Sequence, residues 1–100
     1  MLVIAGIVKI DPARRDEVVE ASIAVMQEAR KQPGCISYVI SLDLEDPSVL
    51  HLFEEWQSDE THRAHVANPH VEAARIRSGN LGMREVTFQR YEIASVGPIV

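Results

Sequence analysis

The run Glu54–His70, EEWQSDETHRAHVANPH, gathers adjacent carboxylates, an indole and three imidazoles into one short stretch. Glu54 and Trp56 are two residues apart in a segment that alternates Leu50, Leu52, Glu54 and Trp56 against Val49, His51, Phe53 and Glu55. On a strand that spacing puts the carboxylate and the indole on one face. A glutamate held away from water has its pKa raised and becomes a plausible base, while the indole packs against a flat substrate. The structural alternative is a Glu54 paired to an arginine and a Trp56 that only fills core. His62 and His65 are one helical turn apart. An imidazole titrates near neutrality, so His65 is a candidate to take a substrate proton or hold an oxyanion. Its structural alternative is a hydrogen-bonded histidine organising the turn at Asn68–Pro69, and His62 and His70 read mainly as structural.

Metal chemistry is a weaker reading. His62-x-x-His65 offers two ligands on one face, and His51 or His70 a third, but the chain has no HExxH, no CxxC and no carboxylate cluster at fixed spacing. No metal site is expected. Phosphate-binding loops, dinucleotide fingerprints and nucleophile elbows are absent as well, so no cofactor is expected. Cys35 follows a Pro–Gly turn without a base at readable spacing, which makes it a poor nucleophile.

The elements that must position these residues follow from periodicity. Leu2 to Ile10 is rich in Val and Ile on both faces and reads as a strand covered on both sides. Asp11–Pro12 caps a helix over residues 13–31 whose apolar positions recur at three and four. Ile36 to Leu44 alternates, with Ile36, Tyr38, Ile40, Leu42 and Leu44 on one face. Glu45–Ser48 turns into a second strand from Val49 to Gln57. Ser58 caps a helix reaching about Ser78, bent or interrupted at Asn68–Pro69. Arg84 to Val96 is a long final strand. The order strand, helix, strand, strand, helix, strand is the ferredoxin-like βαββαβ arrangement, an α+β fold with both helices on one face of an antiparallel sheet. An apolar second sheet face implies a homodimer with facing sheets and a ligand space between them.

Length and composition set the limits. One hundred residues, 46% of them apolar and 25% charged, read as a single domain over residues 1–100. A net charge of -5 with scattered basic residues excludes nucleic acid as a partner. No apolar run approaches the roughly 20 residues that span a bilayer, so no membrane partner is expected. A lone cysteine suits a reducing compartment, and a cytoplasmic location is expected.

Pro33-Gly34-Cys35 through Tyr38, then Asp46–Pro47, Glu54, Trp56, Asp59, His65, Pro69 and His70, in that order, resembles the antibiotic biosynthesis monooxygenase family. The resemblance covers nearly the whole chain. It implies a dimeric α/β barrel around a small aromatic or polyketide-like molecule, and several relatives oxidise phenols or quinols with molecular oxygen and neither metal nor flavin. Other relatives degrade heme using an asparagine on the first strand, which is missing here, and one branch isomerises a sugar-derived signal. The expected activity is a cofactor-independent monooxygenase in which His65, aided by Glu54, deprotonates a phenol or quinol. Trp56, Tyr38, His51 and Arg84 are the expected substrate contacts. The alternatives are an isomerase or other proton-transfer enzyme on the same scaffold, which needs no oxygen, and a non-catalytic small-molecule-binding dimer.

Overall fold

A computed structural model describes all residues from Met1 to Val100. Its elements are β1 (Leu2–Lys9), α1 (Arg15–Arg30, entered through a 3-10 turn at Pro12–Arg14), β2 (Cys35–Leu42), β3 (Val49–Trp56), α2 (Asp59–Val66), α3 (Pro69–Asn80) and β4 (Arg84–Glu92). The strands form one antiparallel sheet in the order β2-β3-β1-β4. This is the expected ferredoxin-like α+β arrangement, with the second helical segment divided in two.

The division has a local cause. Ser58 and Asn68 are both extended, and each accepts a hydrogen bond from the first turn of the helix that follows it. Asn68 ends α2 and, with Pro69 at the first helical position, starts α3. Two strands end two or more residues before their expected limits. β2 stops at Leu42 because Asp43 Oδ2 accepts from the backbone N–H groups of Glu45 and Asp46, closing a turn that leaves Leu44 in solvent. β4 stops at Glu92 rather than Val96 because its only neighbour, β1, has run out: the last rung is Ile93 N–H to Met1 O. Val96, Ile99 and Val100 lie exposed beyond it.

The helix-facing side of the sheet carries the core. Val8, Ile10, Val18, Ala21, Leu50 and Leu81 form one buried cluster, and Leu2, Ala29, Tyr38, Leu52 and Trp56 form another, with Ile40 and Phe88 packed against both. One departure from strict alternation lies in β2. Cys35 pairs with Trp56 and Ser37 with Glu55, so Ile36 is the extra residue of a bulge. Cys35 therefore packs beside the second cluster, and Ile36, expected on the face of Tyr38, is exposed.

A second bulge sits where β4 crosses β1. Ala5 pairs with Gln89 and Ile7 with Val86, so Thr87 and Phe88 together oppose Gly6. Thr87 takes a left-handed φ of 57°, costly for a β-branched side chain, and a Cβ on Gly6 would lie 2.7 Å from Phe88 Cα. The bare Gly6 backbone is what lets Phe88 reach both clusters. Substitutions here should have opposite signs in urea denaturation: Gly6→Ala should destabilise by about 2 kcal/mol, as overpacking does. Thr87→Gly should stabilise by about 1 kcal/mol through relief of strain.

Candidate active site

Glu54 is directed to the helix-facing side by its place in β3, cross-strand from Tyr38 on one neighbour and Ile4 on the other. The carboxylate is 6% exposed. Trp56, on the same face one pleat along, is wholly buried, and its Nε1–H donates to Glu54 Oε1 at 3.0 Å. The strand thus ends in an indole that fills core and also binds a buried carboxylate.

α2 lays its histidine face on this wall. A reciprocal capping box between Ser58 and Thr61 fixes the first turn, so His62 and His65 both point at the sheet. The His65 ring centroid is 4.5 Å from that of Trp56 and 5.9 Å from that of Tyr38. His62 Nε2 lies 4.0 Å from Glu54 Oε1, and its ring sits edge-on to Trp56. His65 is buried, and its Nδ1 has no hydrogen-bond partner; only one other buried side-chain atom, Ser22 Oγ, shares that condition.

Burial moves the two titrating groups in opposite directions. Loss of solvent pushes the Glu54 carboxyl up to about 7, against the Trp56 hydrogen bond, which lowers it, and with a smaller upward push from Glu85. Loss of solvent likewise pushes His65 down to about 4, helped by the neighbouring His62, itself lowered by burial. Tyr38 is shifted far upward by the same dry surroundings and stays a neutral phenol. The buried carboxyl therefore holds its proton to a higher pH than an ordinary glutamate, and the imidazole beside it stays neutral to a lower pH than an ordinary histidine. Of the two expected proton-transfer groups, Glu54 is the one whose hold on a proton burial strengthens, and His65 the one whose hold it weakens.

Of the expected site residues, Glu54, Trp56, Tyr38 and His65 come together. His51 does not join them. It points from β3 to the opposite sheet face, where its Nε2 meets Asp43 Oδ1 at 2.8 Å. Arg84 lies at the other end of the sheet, cross-strand from Lys9. His62, expected to be structural, also faces this cluster, and its three-residue offset from His65 is the sequence signal that places it there. No group of three or more His, Cys, Asp or Glu side chains is placed to hold a metal ion.

A shallow cavity of about 280 Å3 opens on the outer sheet face beside Ala5, Ile7, Val39, His51, Phe53 and Tyr91. Glu54, Trp56, Tyr38 and His65 lie on the other side of the sheet, between it and the helices, whereas the ligand space expected between facing sheets would adjoin this outer face. No helix is long and apolar enough to cross a membrane.

A four-stranded antiparallel sheet of this order, with its helices on one face, defines a ferredoxin-like α+β domain, and under its helices a buried carboxylate–indole pair is roofed by two histidines. Residues 1–77 match the model of the antibiotic biosynthesis monooxygenase family, and the chain belongs to that family. The uncharacterized protein sll1783 of Synechocystis sp. is 27% identical over 93 residues, which are 93% of this chain and 63% of that protein, so the chain spans less than two thirds of that relative. A solved structure from Deinococcus radiodurans, provisionally named an antibiotic biosynthesis monooxygenase, superposes with a TM-score of 0.89 at 22% identity, covering 100% of this chain and 99% of that one. One from Chloroflexus aurantiacus with the same provisional name gives 0.81 at 25% identity, covering 99% and 98%.

Proposed function

We propose that the protein is a monooxygenase that oxidises a small phenol, quinol or polyketide-like aromatic with molecular oxygen, using Glu54 as the base. The observation that carries this reading is the Glu54 carboxyl, 6% exposed, bound to Trp56 Nε1 and raised to about 7, beside a neutral His65 whose Nδ1 has no partner. A base with a pKa near the working pH takes a proton most effectively, and a dry site strengthens its contacts with the developing anion. The unpartnered His65 nitrogen supplies a hydrogen bond to the substrate oxygen, and Trp56 and Tyr38 offer aromatic surface. Deprotonation by Glu54 gives a phenolate rich enough in electrons to reduce oxygen. Addition of O2 at a ring carbon gives a peroxide, and its loss of water leaves the quinone: phenol plus O2 becomes quinone plus water. The chain's own groups supply the proton transfers, and no cofactor is required by the scheme.

A second copy belongs to the proposal. Val39, Phe53 and Tyr91 are 41%, 42% and 45% exposed on the outer sheet face, an apolar surface that a facing sheet would cover. A reducing cytoplasm, where the free Cys35 persists, suits the chain.

The test is oxygen uptake by chelator-treated protein with a panel of hydroquinones and anthrones. Uptake above autoxidation is expected, falling at least about tenfold in His65→Ala. No uptake by folded wild-type protein across the panel would move the assignment to an isomerase on the same scaffold or a binding protein.

A further inference from the structure

We propose that α2 is a lid over the Glu54–Trp56 site, latched to the sheet by Arg90 of β4 through Asp59, and that substrate reaches Glu54 when this latch opens. The inference takes Glu54 and His65 as the reacting groups, which is the reading above, but the closure itself can be measured without any substrate.

The site is shut as it stands. Trp56 is 0%, His65 5% and Glu54 6% exposed, so an aromatic molecule has no route to the carboxylate past the ring of His65. Neither the cavity on the outer sheet face nor the one between α1 and α3 includes Glu54, Trp56 or His65 in its lining. What covers Glu54 is α2, and α2 is held lightly. His65 is its only buried residue, and Val66 is half exposed. The helix is flanked by two extended residues, Ser58 and Asn68, where backbone torsions can change without unwinding it.

Its ties to the body lie at opposite sheet edges. On the β2 side, Thr61 packs against the turn at Gly34, where a Cβ would come within 2.5 Å of Thr61 Cβ, and Asn68 Nδ2 donates to Gln32 Oε1 at 3.2 Å. On the β4 side, the tie is an exposed ion pair between Arg90 Nη1 and Asp59 Oδ1. Neither partner is stranded when that pair separates. Arg90 keeps Glu92 Oε1 at 2.8 Å, and Asp59 keeps Arg63 Nε at 2.6 Å within its own helix. Separation is therefore cheap, and the close-fitting Gly34 side serves as the hinge. An exposed pair of this kind is also screened by salt, so opening should increase with ionic strength.

Trp56 is the chain's one tryptophan, so acrylamide quenching of its fluorescence reports access to the site directly. Arg90→Gln and Asp59→Asn should each raise the bimolecular quenching constant about two- to five-fold, the range an exposed ion pair can supply. Arg90→Lys should stay near wild type. So should Arg75→Gln, which removes the Arg75–Glu72 pair on α3 and no tie of α2. Wild-type quenching in both latch variants, with native circular dichroism, overturns the proposal, as does an equal rise in Arg75→Gln. Because quenching needs no substrate, failure of oxygen uptake would remove the monooxygenase reading and leave the lid standing.

Discussion

Glu54→Gln should lower oxygen-dependent turnover by about 100- to 10,000-fold, the usual contribution of a positioned base. The same substitution should make the protein more stable. Gln keeps an acceptor for Trp56 Nε1–H and matches the neutral carboxyl in shape, so it retains what the fold uses and discards what burial opposes. The sign follows from the proton count. Between the ordinary value of 4.5 and the folded value of about 7, the folded chain holds a proton at Glu54 that the unfolded chain has released. Stability from this group is full below 4.5 and is lost as pH rises through about 7. A shift of that size corresponds to roughly 3 kcal/mol. At about pH 8 the variant should therefore unfold roughly 3 kcal/mol harder than wild type, a rise in Tm on the order of 15 °C for a domain this small. Equal Tm values at that pH would show that the carboxylate is better solvated than its surroundings suggest.

His65→Phe is the complementary case. The imidazole is pushed down to about 4 from 6.5, so in that window the unfolded chain binds a proton that the folded chain refuses. Its contribution is present above 6.5 and is lost as pH falls toward 4, again by roughly 3 kcal/mol. Phe fits among Trp56 and Tyr38, removes this acid penalty and also removes the unpartnered Nδ1, a defect worth about 1–3 kcal/mol. In wild type the Glu54 and His65 slopes oppose each other where their windows overlap, so Tm should change little there. Each single variant should expose the other's slope: Glu54→Gln loses stability on acidification, and His65→Phe loses it on alkalinisation. Tm measured from about pH 4 to about pH 8 at fixed protein concentration checks both directions. Two substitutions that disable the site while strengthening the fold would mark these residues as kept for chemistry.

Much of this was legible in the chain. Alternation along residues 49–57 put Glu54 and Trp56 on one face, and Ser58 marked the helix that brings His65 over them. Asn68–Pro69 announced the break between α2 and α3. Position relative to the core was less accessible. Alternation puts His51 and Glu54 on opposite faces but does not say which face meets the helices, and so either could belong to the site until the packing of the helices is known. The bulges at Ile36 and Thr87 leave no local signal, since the positive φ of Thr87 goes with the seating of its neighbour Phe88 against Gly6 of β1, far away in the sequence. The roles of Glu54 and His65 depend on how dry each side chain becomes, a property of the packed molecule rather than of either residue type.

The strand order carries a consequence for how the chain acquires its shape. β2 and β3 form a hairpin from neighbouring residues, but β1 must find β4, and Leu2 pairs with Glu92. Joining segments so far apart in sequence means closing nearly the longest loop the chain can make, the kind of contact that slows folding. A nascent chain can form the hairpin and the first helix early, yet one side of β1 stays open until residues 84–92 have left the ribosome. Until then Arg90 is also missing, so the histidine helix has no latch. The site becomes a closed one only when the sheet itself is complete.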